Sequence, residues 1–251
     1  YNSTVLTDTG RCLIWGYNGQ GQIGDGTKTD SLIPIDIQDN FRITSIMEAS
    51  LAHDETIVDV SIGKYHYAAV TSYGNLFTWG DNSSGQLGDG TVLNTNQPMN
   101  ITNQFNLAEV EKIIDVELGE YHSVALTNTG RVFTWGENEI GQLGNMSTTD
   151  LYVPTELPAS DFGSEGVVSI TVYDKMNAAM TASGRLFTWG FNWHGELGDG
   201  TEVHKLVPTE VTGNFGLAVD ETIEKISFGL YHTALITSAG RLFTWGNNSY
   251  G

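Results

Sequence analysis

The chain has few cations, a single cysteine, only five prolines and no long apolar run. Eleven Lys and Arg residues stand against 30 Asp and Glu residues, which gives a formal net charge of −19. Nucleic-acid binding relies on cations that neutralise phosphates, so this composition disfavours a DNA or RNA partner. No apolar run approaches the ~20 residues of a membrane-spanning helix, so membrane insertion is not expected. A lone cysteine excludes a disulfide within the chain.

What the chain has instead is one segment that recurs five times. Each copy reads Gly, Arg or Asn, three further residues, and then Trp-Gly-x-Asn-x-x-Gly. The steps between the leading glycines are 64, 56, 54 and 56 residues. Repeats of this length that are rich in glycine turns predict a propeller or a solenoid. The five leading glycines are Gly10, Gly74, Gly130, Gly184 and Gly240.

Aligned on these glycines, a complete unit contains four strand-like segments. The first alternates apolar and polar residues, as in Val58–Gly63, which is the period-2 pattern of a strand. The second ends in a Thr in every copy, and the third carries the Trp. A short turn ending at the leading Gly joins these two, which predicts a tight hairpin.

The fourth segment contains a proline 19 residues beyond the Trp of its unit, as in Trp79 and Pro98. Proline cannot donate to a central ladder, so this segment is predicted to be the edge strand. Length varies only in the connector that follows, and a short helix is predicted in one connector, at Ser45–His53. One four-stranded module with one variable connector favours an all-β propeller blade over the alternative of a β-helix.

In these motifs the chain closely resembles the regulator of chromosome condensation family of seven-bladed β-propellers. The residues that carry the resemblance are Gly-x-Tyr-His, followed by Leu-Thr-x-x-Gly-Arg-Leu-Phe-Thr-Trp-Gly-x-Asn-x-x-Gly-Gln-Leu-Gly-Asp-Gly-Thr. The best single copy runs through residues 119–144, and the resemblance covers essentially all 251 residues. It implies that residues 1–251 form one propeller region built from four-stranded antiparallel blades.

The number of copies differs from that of a complete family propeller. The chain contains four units plus a duplicated half, or about four and a half blades. Seven blades of ~55 residues would need about 385 residues. We therefore expect further repeats outside this sequence, or self-association through exposed strand edges. Position 1 is Tyr and no signal peptide is visible, which also favours a piece of a longer protein.

The constant residues of the repeat are interpreted as framework. The Trp residues are predicted to pack between blades, and the His residues of Tyr-His to make structural hydrogen bonds, because equivalent sites in separate blades cannot meet at one atom. Catalysis or metal binding by these histidines is the alternative interpretation. The framework residues are Trp15, Trp79, Trp135, Trp189, Trp245, His66, His122 and His232.

Three other features are also predicted to be structural. Asn18 and its equivalents are expected to bond the backbone of their own turn. Gly-Asp-Gly-Thr, as at Gly88–Thr91, lacks the carboxylates of a calcium loop and the Lys of a phosphate loop, so it is interpreted as a turn. Cys12 stands where other copies have Leu or Val, which predicts a small buried apolar side chain.

The fourth unit departs from the pattern. It has Tyr173, Asp174, Lys175 and Met176 in place of Gly-x-Tyr-His, and its Trp-Gly turn contains Phe191 and Trp193. Positions that vary within an invariant turn are predicted to display binding residues on one rim of the propeller. The alternative is that Trp193 covers a neighbouring blade. The predicted rim residues are Tyr17, Asp81, Glu137, Glu139, Phe191, Trp193, His194 and Tyr250.

No catalytic set, zinc spacing or carboxylate pair stands out in the sequence, and no cofactor is expected. The primary hypothesis is therefore a non-enzymatic scaffold that binds a protein partner through this rim. The resemblance implies two alternatives: a guanine-nucleotide exchange factor for a small GTPase, or a secreted propeller that inhibits an enzyme. The acidity and the absence of basic tails favour a bacterial or extracellular setting over a nuclear one.

Overall fold

The computed structural model describes residues 2–42 and 55–249. In this part of the chain 18 strands form five separate antiparallel sheets. Three sheets have four strands, and the first and fifth have three. The predicted all-β architecture of four-stranded antiparallel blades, about four and a half in number, is therefore confirmed. Five separate antiparallel sheets exclude the β-helix.

Strands follow one another in each sheet in chain order, so each blade is a meander. The first blade consists of β1 Asn2–Leu6, β2 Cys12–Gly16 and β3 Ser31–Asp36. The second consists of β4 Ile57–Ile62, β5 His66–Thr71, β6 Leu76–Gly80 and β7 Thr95–Asn100. The third consists of β8 Ile113–Leu118, β9 His122–Thr127, β10 Val132–Gly136 and β11 Leu151–Glu156. The fourth consists of β12 Val167–Tyr173, β13 Met176–Thr181, β14 Leu186–Gly190 and β15 Lys205–Glu210. The fifth consists of β16 Ile223–Phe228, β17 His232–Thr237 and β18 Leu242–Gly246.

The proline segments are edge strands, as predicted. In the second blade Thr78 pairs with Met99 and Gly80 with Thr95, so the register shifts opposite Trp79. Pro98 lies within this irregular stretch, where the ladder does not need its missing N–H. The same shift recurs in the first, third and fourth blades.

Apolar side chains between neighbouring blades form the core. The cluster between the second and third blades includes Val70, Phe105, Val116 and Trp135, all buried. The first strands of neighbouring blades also contact each other, β4 with β8 and β8 with β12. Each interface therefore repeats the one before it, as expected of a chain built from one unit.

The connectors contain a recurrent element that the sequence prediction missed. Each begins with a short 3-10 helix that has a Phe at its last or penultimate position. Among the residues described, no helix is long and apolar enough to cross a bilayer. Phe105 is buried and lies edge-on to Phe133 and Trp135 of the next blade, with ring centroids 5.0 and 5.5 Å apart. The helices are Gln38–Arg42, Thr102–Phe105, Ala159–Phe162 and Thr212–Phe215. The predicted helix at Ser45–His53 lies outside the described residues.

Arg and Glu side chains link the strands at the end of the blades where the connectors lie, which we call the lower rim. Arg131 donates to Glu111 at 2.8 Å and to Glu156 at 2.6 Å, and its guanidinium lies 4.8 Å from the centre of the Phe133 ring. Despite some desolvation, the bonds from Thr129 and Thr127, together with the Arg131 pair, hold the pKa of Glu111 at about 2, below its usual value. Similar pairs occur at Arg185 and Arg241.

Candidate functional site

The variable turns lie at the opposite end of the blades, which we call the upper rim. It consists of the four loops 17–30, 81–94, 137–150 and 191–204 and the hairpins between the first two strands of the second to fifth blades. The backbone N–H of Asp81 donates to the carbonyl of Tyr65 at 2.9 Å, which ties the loop of the second blade to its hairpin. The equivalent bond in the fourth blade runs from Phe191 to Lys175, at 3.0 Å.

A buried asparagine holds each upper-rim loop in shape. The Nδ2 of Asn82 donates to the carbonyls of Thr91 and Leu93, and its Oδ1 accepts from the N–H of Leu87. Asp89 accepts from the N–H and hydroxyl of Thr91, so Gly-Asp-Gly-Thr is a turn. The bonds recur at Asn18 and Asn192 and, with Asn145 in place of Asp, at Asn138. The predicted backbone bonds of the asparagines and the predicted Gly-Asp-Gly-Thr turn are both confirmed. These bonds make the loops preformed.

The tryptophans beneath these loops connect neighbouring blades. Trp79, Trp135 and Trp189 are fully buried, and each donates its indole N–H to a carbonyl of the preceding blade. For Trp135 the acceptor is the Gln86 carbonyl, at 2.9 Å. Trp15 and Trp245, in the first and fifth blades, are half-buried. Cys12 is buried as predicted, and burial raises the pKa of its thiol to about 11.

Two of the framework histidines are buried between blades. His66 Nε2 lies 3.2 Å from Ser123 Oγ, and His122 Nε2 lies 2.8 Å from Asn177 Oδ1. Burial lowers the pKa of His66 to about 3 and that of His122 to about 4, so both are neutral at pH 7. His232 is exposed. Within residues 2–42 and 55–249, no group of three or more His, Cys, Asp or Glu could hold a metal ion.

The structure removes one residue from the predicted binding rim. Asp81 is only 6% exposed, because its carboxylate accepts from Ser83 Oγ at 2.8 Å and from Gln86 Nε2 at 2.7 Å. Glu137 is half-buried for a related reason: it accepts from Gln142 and pairs with Lys175 at 2.7 Å. Both carboxylates brace the loop. Asp81 was therefore wrongly placed among accessible binding residues.

The remaining predicted rim residues have different surroundings. Glu139 and His194 are exposed, and Tyr17 lies edge-on to Tyr65 with ring centroids 6.1 Å apart. Tyr65 in turn lies 6.5 Å from Tyr121. This row of tyrosines was not predicted from the sequence, where the Tyr-His pairs drew attention only through their histidines. Tyr250 lies outside the described residues.

An ion-pair network crosses the same rim. The Lys64 ammonium pairs with Glu120 and lies 4.9 Å from the centre of the Tyr121 ring. Lys175 lies 4.0 Å from the other oxygen of Glu120 and pairs with Glu137. The Glu120 pair raises the pKa of Lys64 above its usual range. The lysines of this network are therefore already engaged with carboxylates of the chain.

The fourth blade carries the most exposed aromatic surface of the upper rim among the residues described. Trp193 is 65% exposed, and its ring centroid lies 5.4 Å from that of Phe191 and 5.7 Å from that of His204. Phe191 is half-buried and also packs on the core beneath. We call Phe191, Trp193 and His204 the aromatic cluster. Next to it His194 lies edge-on to Tyr231, with centroids 5.6 Å apart.

His204 is a member of the cluster that the sequence analysis missed. Its Nδ1 accepts from the backbone N–H of Asn192 at 3.0 Å, the role that the side chains of Asp30, Asn94 and Asp150 play in the other loops. Burial lowers the pKa of His204, which keeps the acceptor nitrogen unprotonated. The signal was available, since only this copy has an imidazole at that position.

Three carboxylates lie together on the first strands of the second and third blades. Burial and repulsion from Asp59 raise the pKa of Asp115 to about 6. Burial, with repulsion from Asp115 and Asp59, raises the pKa of Glu117 to about 7. This strand face therefore gains protons at a pH where ordinary carboxylates are ionised.

Comparison with curated proteins gives partial matches to much longer chains. The chain is 29% identical over 249 residues to the Ultraviolet-B receptor UVR8 of Arabidopsis thaliana, a match that covers 98% of this chain and 51% of the receptor. It is 34% identical over 200 residues to the probable E3 ubiquitin-protein ligase HERC4 of Homo sapiens, covering 79% of this chain and 18% of the ligase. The chain thus spans about half the length of the plant receptor and a smaller part of the ligase.

Solved structures show the same architecture. Human WBSCR16 superposes with a TM-score of 0.77 at 26% identity, covering 98% of this chain and 60% of that one. Prp20p of Saccharomyces cerevisiae superposes with a TM-score of 0.77 at 24% identity, covering 98% of this chain and 55% of that one. The family model described as RCC1-like domain matches residues 1–251. Repeat, blade and match over the full sequence agree, and the chain belongs to the RCC1-like domain family of β-propellers.

Proposed function

We propose that this propeller is a non-enzymatic scaffold that binds a protein partner through the upper rim of its fourth blade. The observation that carries the proposal is Trp193, which remains 65% exposed although the ring is oriented by Phe191 and His204. Exposed aromatic side chains held on a rigid support are favoured anchors at protein interfaces. The loop 191–204, held by the hydrogen bonds of Asn192, supplies that support.

Charge on the upper rim defines the kind of partner. Lys64 and Lys175 are paired within the chain, whereas Glu139 and Glu202 are exposed. With a formal net charge of −19, the chain also repels acidic surfaces. A partner surface with positive potential and apolar side chains fits this rim best.

The E3 ligase match covers 18% of HERC4, and the likeness to Prp20p, at 24% identity, shows the fold. Prp20p itself has binding properties toward Gsp1p and histones. Exchange activity of this chain stays a hypothesis. It predicts faster nucleotide release from a small GTPase when the purified chain is added.

The test is affinity capture from the native source, followed by quantitative mass spectrometry and by affinity measurement with the purified partner. Trp193→Ala is expected to weaken the complex at least about thirtyfold, as loss of a central aromatic anchor does. The free energy of unfolding of the Trp193→Ala variant should change by no more than about 0.5 kcal/mol, because the Trp193 side chain is mostly exposed.

The matched control is Val219→Ala, which removes an exposed apolar side chain from a lower-rim connector. It should leave binding unchanged. If Trp193→Ala instead lowers stability by several kcal/mol, Trp193 is a packing residue, and if it leaves the affinity of the partner unchanged, the binding surface lies elsewhere.

A further inference from the structure

A framework glutamine of the upper-rim loops is replaced by glutamate in the fourth blade. The position is occupied by Gln22, Gln86, Gln142 and Glu196, all fully buried. In each loop one side-chain oxygen accepts from the backbone N–H two residues earlier, which for Glu196 is that of His194 at 2.8 Å. Glu196 thus has the position and the loop-bracing bond of its glutamine equivalents.

The second polar atom of this side chain differs between blades. In the second and third blades the glutamine Nε2 donates to the carboxylate of Asp81 or Glu137, at 2.7 and 2.9 Å. In the fourth blade the residue at the place of those carboxylates is Phe191. Glu196 Oε1 is buried and accepts no hydrogen bond from any of the described residues.

The first blade separates the effect of the aromatic residue from the effect of the charge. There Tyr17 replaces the carboxylate, and Gln22 Nε2 likewise has no hydrogen-bond partner in the described part of the chain. Among the described residues, a neutral amide group lacks a hydrogen-bond partner in the first blade, whereas a carboxylate oxygen lacks one in the fourth. A buried carboxylate without a compensating partner is far more costly than a buried amide, so a nearby cation would stabilise the fourth blade more than the first.

Among the described residues, the lysines of these segments are already paired with carboxylates. Lys175 is paired with Glu137 and Lys205 with Asp199, each at 2.7 Å, and the Nδ1 of His204 is occupied as an acceptor. Residues 173–176 and 191–205 hold four carboxylates and these two lysines. The carboxylates are Asp174, Glu196, Asp199 and Glu202. These upper-rim segments of the fourth blade therefore carry a net negative charge.

An exposed aromatic face in a negatively charged part of the rim selects for a particular chemical group. A guanidinium is planar, permanently charged and weakly hydrated, so it stacks on an indole more readily than an ammonium does. Trp193 is 65% exposed, and the buried carboxylate of Glu196 accepts from the backbone N–H of His194, the next residue along the turn. The field of a carboxylate in a poorly solvated site extends to a cation resting on that face.

We propose that the aromatic cluster and Glu196 form a binding site for an arginine side chain of the partner protein, with the guanidinium stacked on Trp193. This inference rests on the proposed function, because it assumes that the upper rim of the fourth blade meets a protein. It adds the identity of the anchoring residue on the partner side. It also explains why an aromatic residue and a buried glutamate occur together in this copy.

The test is an NMR titration of the full chain with the peptide acetyl-Gly-Gly-Arg-Gly-Gly-amide. The indole N–H signal of Trp193 is assigned by its loss in Trp193→Phe, and its shift is followed. The matched control peptide carries citrulline, which has the same shape without the charge. Arginine is expected to shift the signal saturably, and citrulline to bind at least about tenfold more weakly.

The variant Glu196→Gln restores the residue of the other three loops and should fold normally. It is expected to weaken binding of the arginine peptide at least about fivefold. Gln22→Glu in the first blade, beside Tyr17, is the reciprocal variant and should increase affinity for the peptide there. Equal affinity for arginine and citrulline, or unchanged arginine affinity in Glu196→Gln, would overturn the proposal.

The two proposals fail in different ways. If the captured partner depends on Trp193 but binds Glu196→Gln with full affinity, the scaffold function stands and the arginine site is wrong. If the arginine peptide behaves as expected but the partner ignores Trp193→Ala, the cation site stands and the proposed docking surface is wrong.

Discussion

At the scale of single residues, identical repeat positions have different exposures because their neighbours differ. Asp81, Glu137 and Phe191 occupy the same place in three loops, yet a glutamine amide covers the first, a lysine and a glutamine bind the second, and the third packs on a core. Comparison of the repeat copies identified the position as variable, but the neighbouring side chains decide whether the residue there reaches solvent. Variation within a repeat therefore marks candidates for binding and does not establish exposure.

His122 supports a prediction about pH at this scale. Its pKa in the folded state, about 4, lies below the ordinary value near 6.5, so the folded state favours the neutral ring. The folded state therefore has its full stability above about pH 6.5. It loses part of that stability as the pH falls toward 4, because the unfolded state binds the proton more readily. For a fully buried ring the loss amounts to about 3 kcal/mol.

His122→Gln keeps a donor for Asn177 and removes the titration. We expect the variant to be less stable than the native chain at pH 7 by about 1 kcal/mol. Between pH 6.5 and 4.5 its stability should fall less steeply, so that the difference narrows or reverses. Urea unfolding at pH 7, 5.5 and 4.5 measures this, and parallel pH profiles for the two proteins would contradict it.

At the scale of elements, the connectors contribute more to packing than their variable length suggests. Each described 3-10 helix places one Phe against the Phe and Trp of the following blade. The strands were predictable because alternation and turn glycines are local signals. The Phe contact was not predicted, because a single apolar residue in so short a helix has no periodicity and its partners are at least 25 residues away, the separation of Phe162 and Phe187.

Phe105→Ala tests the contribution of this element. Phe105 is 1% exposed and contacts two aromatic rings, so truncation is expected to cost about 3–5 kcal/mol of unfolding free energy. Val110→Ala in the same connector removes a side chain that is 79% exposed and should change stability by less than about 0.5 kcal/mol. Denaturant unfolding compares the two variants. Similar small losses in both would show that the connector does not contribute to the core.

At the scale of the whole molecule, buried histidines and buried carboxylates titrate with opposite effects on stability. Protonation of His66 and His122 opposes folding as the pH falls. Asp115 and Glu117 have folded-state pKa values raised to about 6 and about 7, so their protonated forms favour the folded state. Their contribution is present below the ordinary carboxyl pKa and is lost as the pH rises through 6 to 7.

Glu117→Gln separates the carboxylate contribution from that of the histidines. At pH 8 the variant lacks a partly buried, repelled charge and is expected to be more stable by about 1 kcal/mol, a value reduced for solvent screening. At pH 4.5 the gain should disappear, because the native side chain is then protonated. Glu109→Gln, at an exposed position, controls for net charge. A gain of the same size at both pH values would contradict the prediction.

The sequence alone determined the strand pattern, the four-stranded unit, the edge position of the proline strands and the loop asparagines, because each depends on residues close along the chain. The tertiary structure decided which variable positions are covered, which lysines are engaged, and that the buried Glu196 Oε1 has no hydrogen-bond partner among the described residues. These properties depend on side chains from separate strands, loops and blades. Solvation and charge pairing are set by three-dimensional neighbours, and a repeat motif does not specify them.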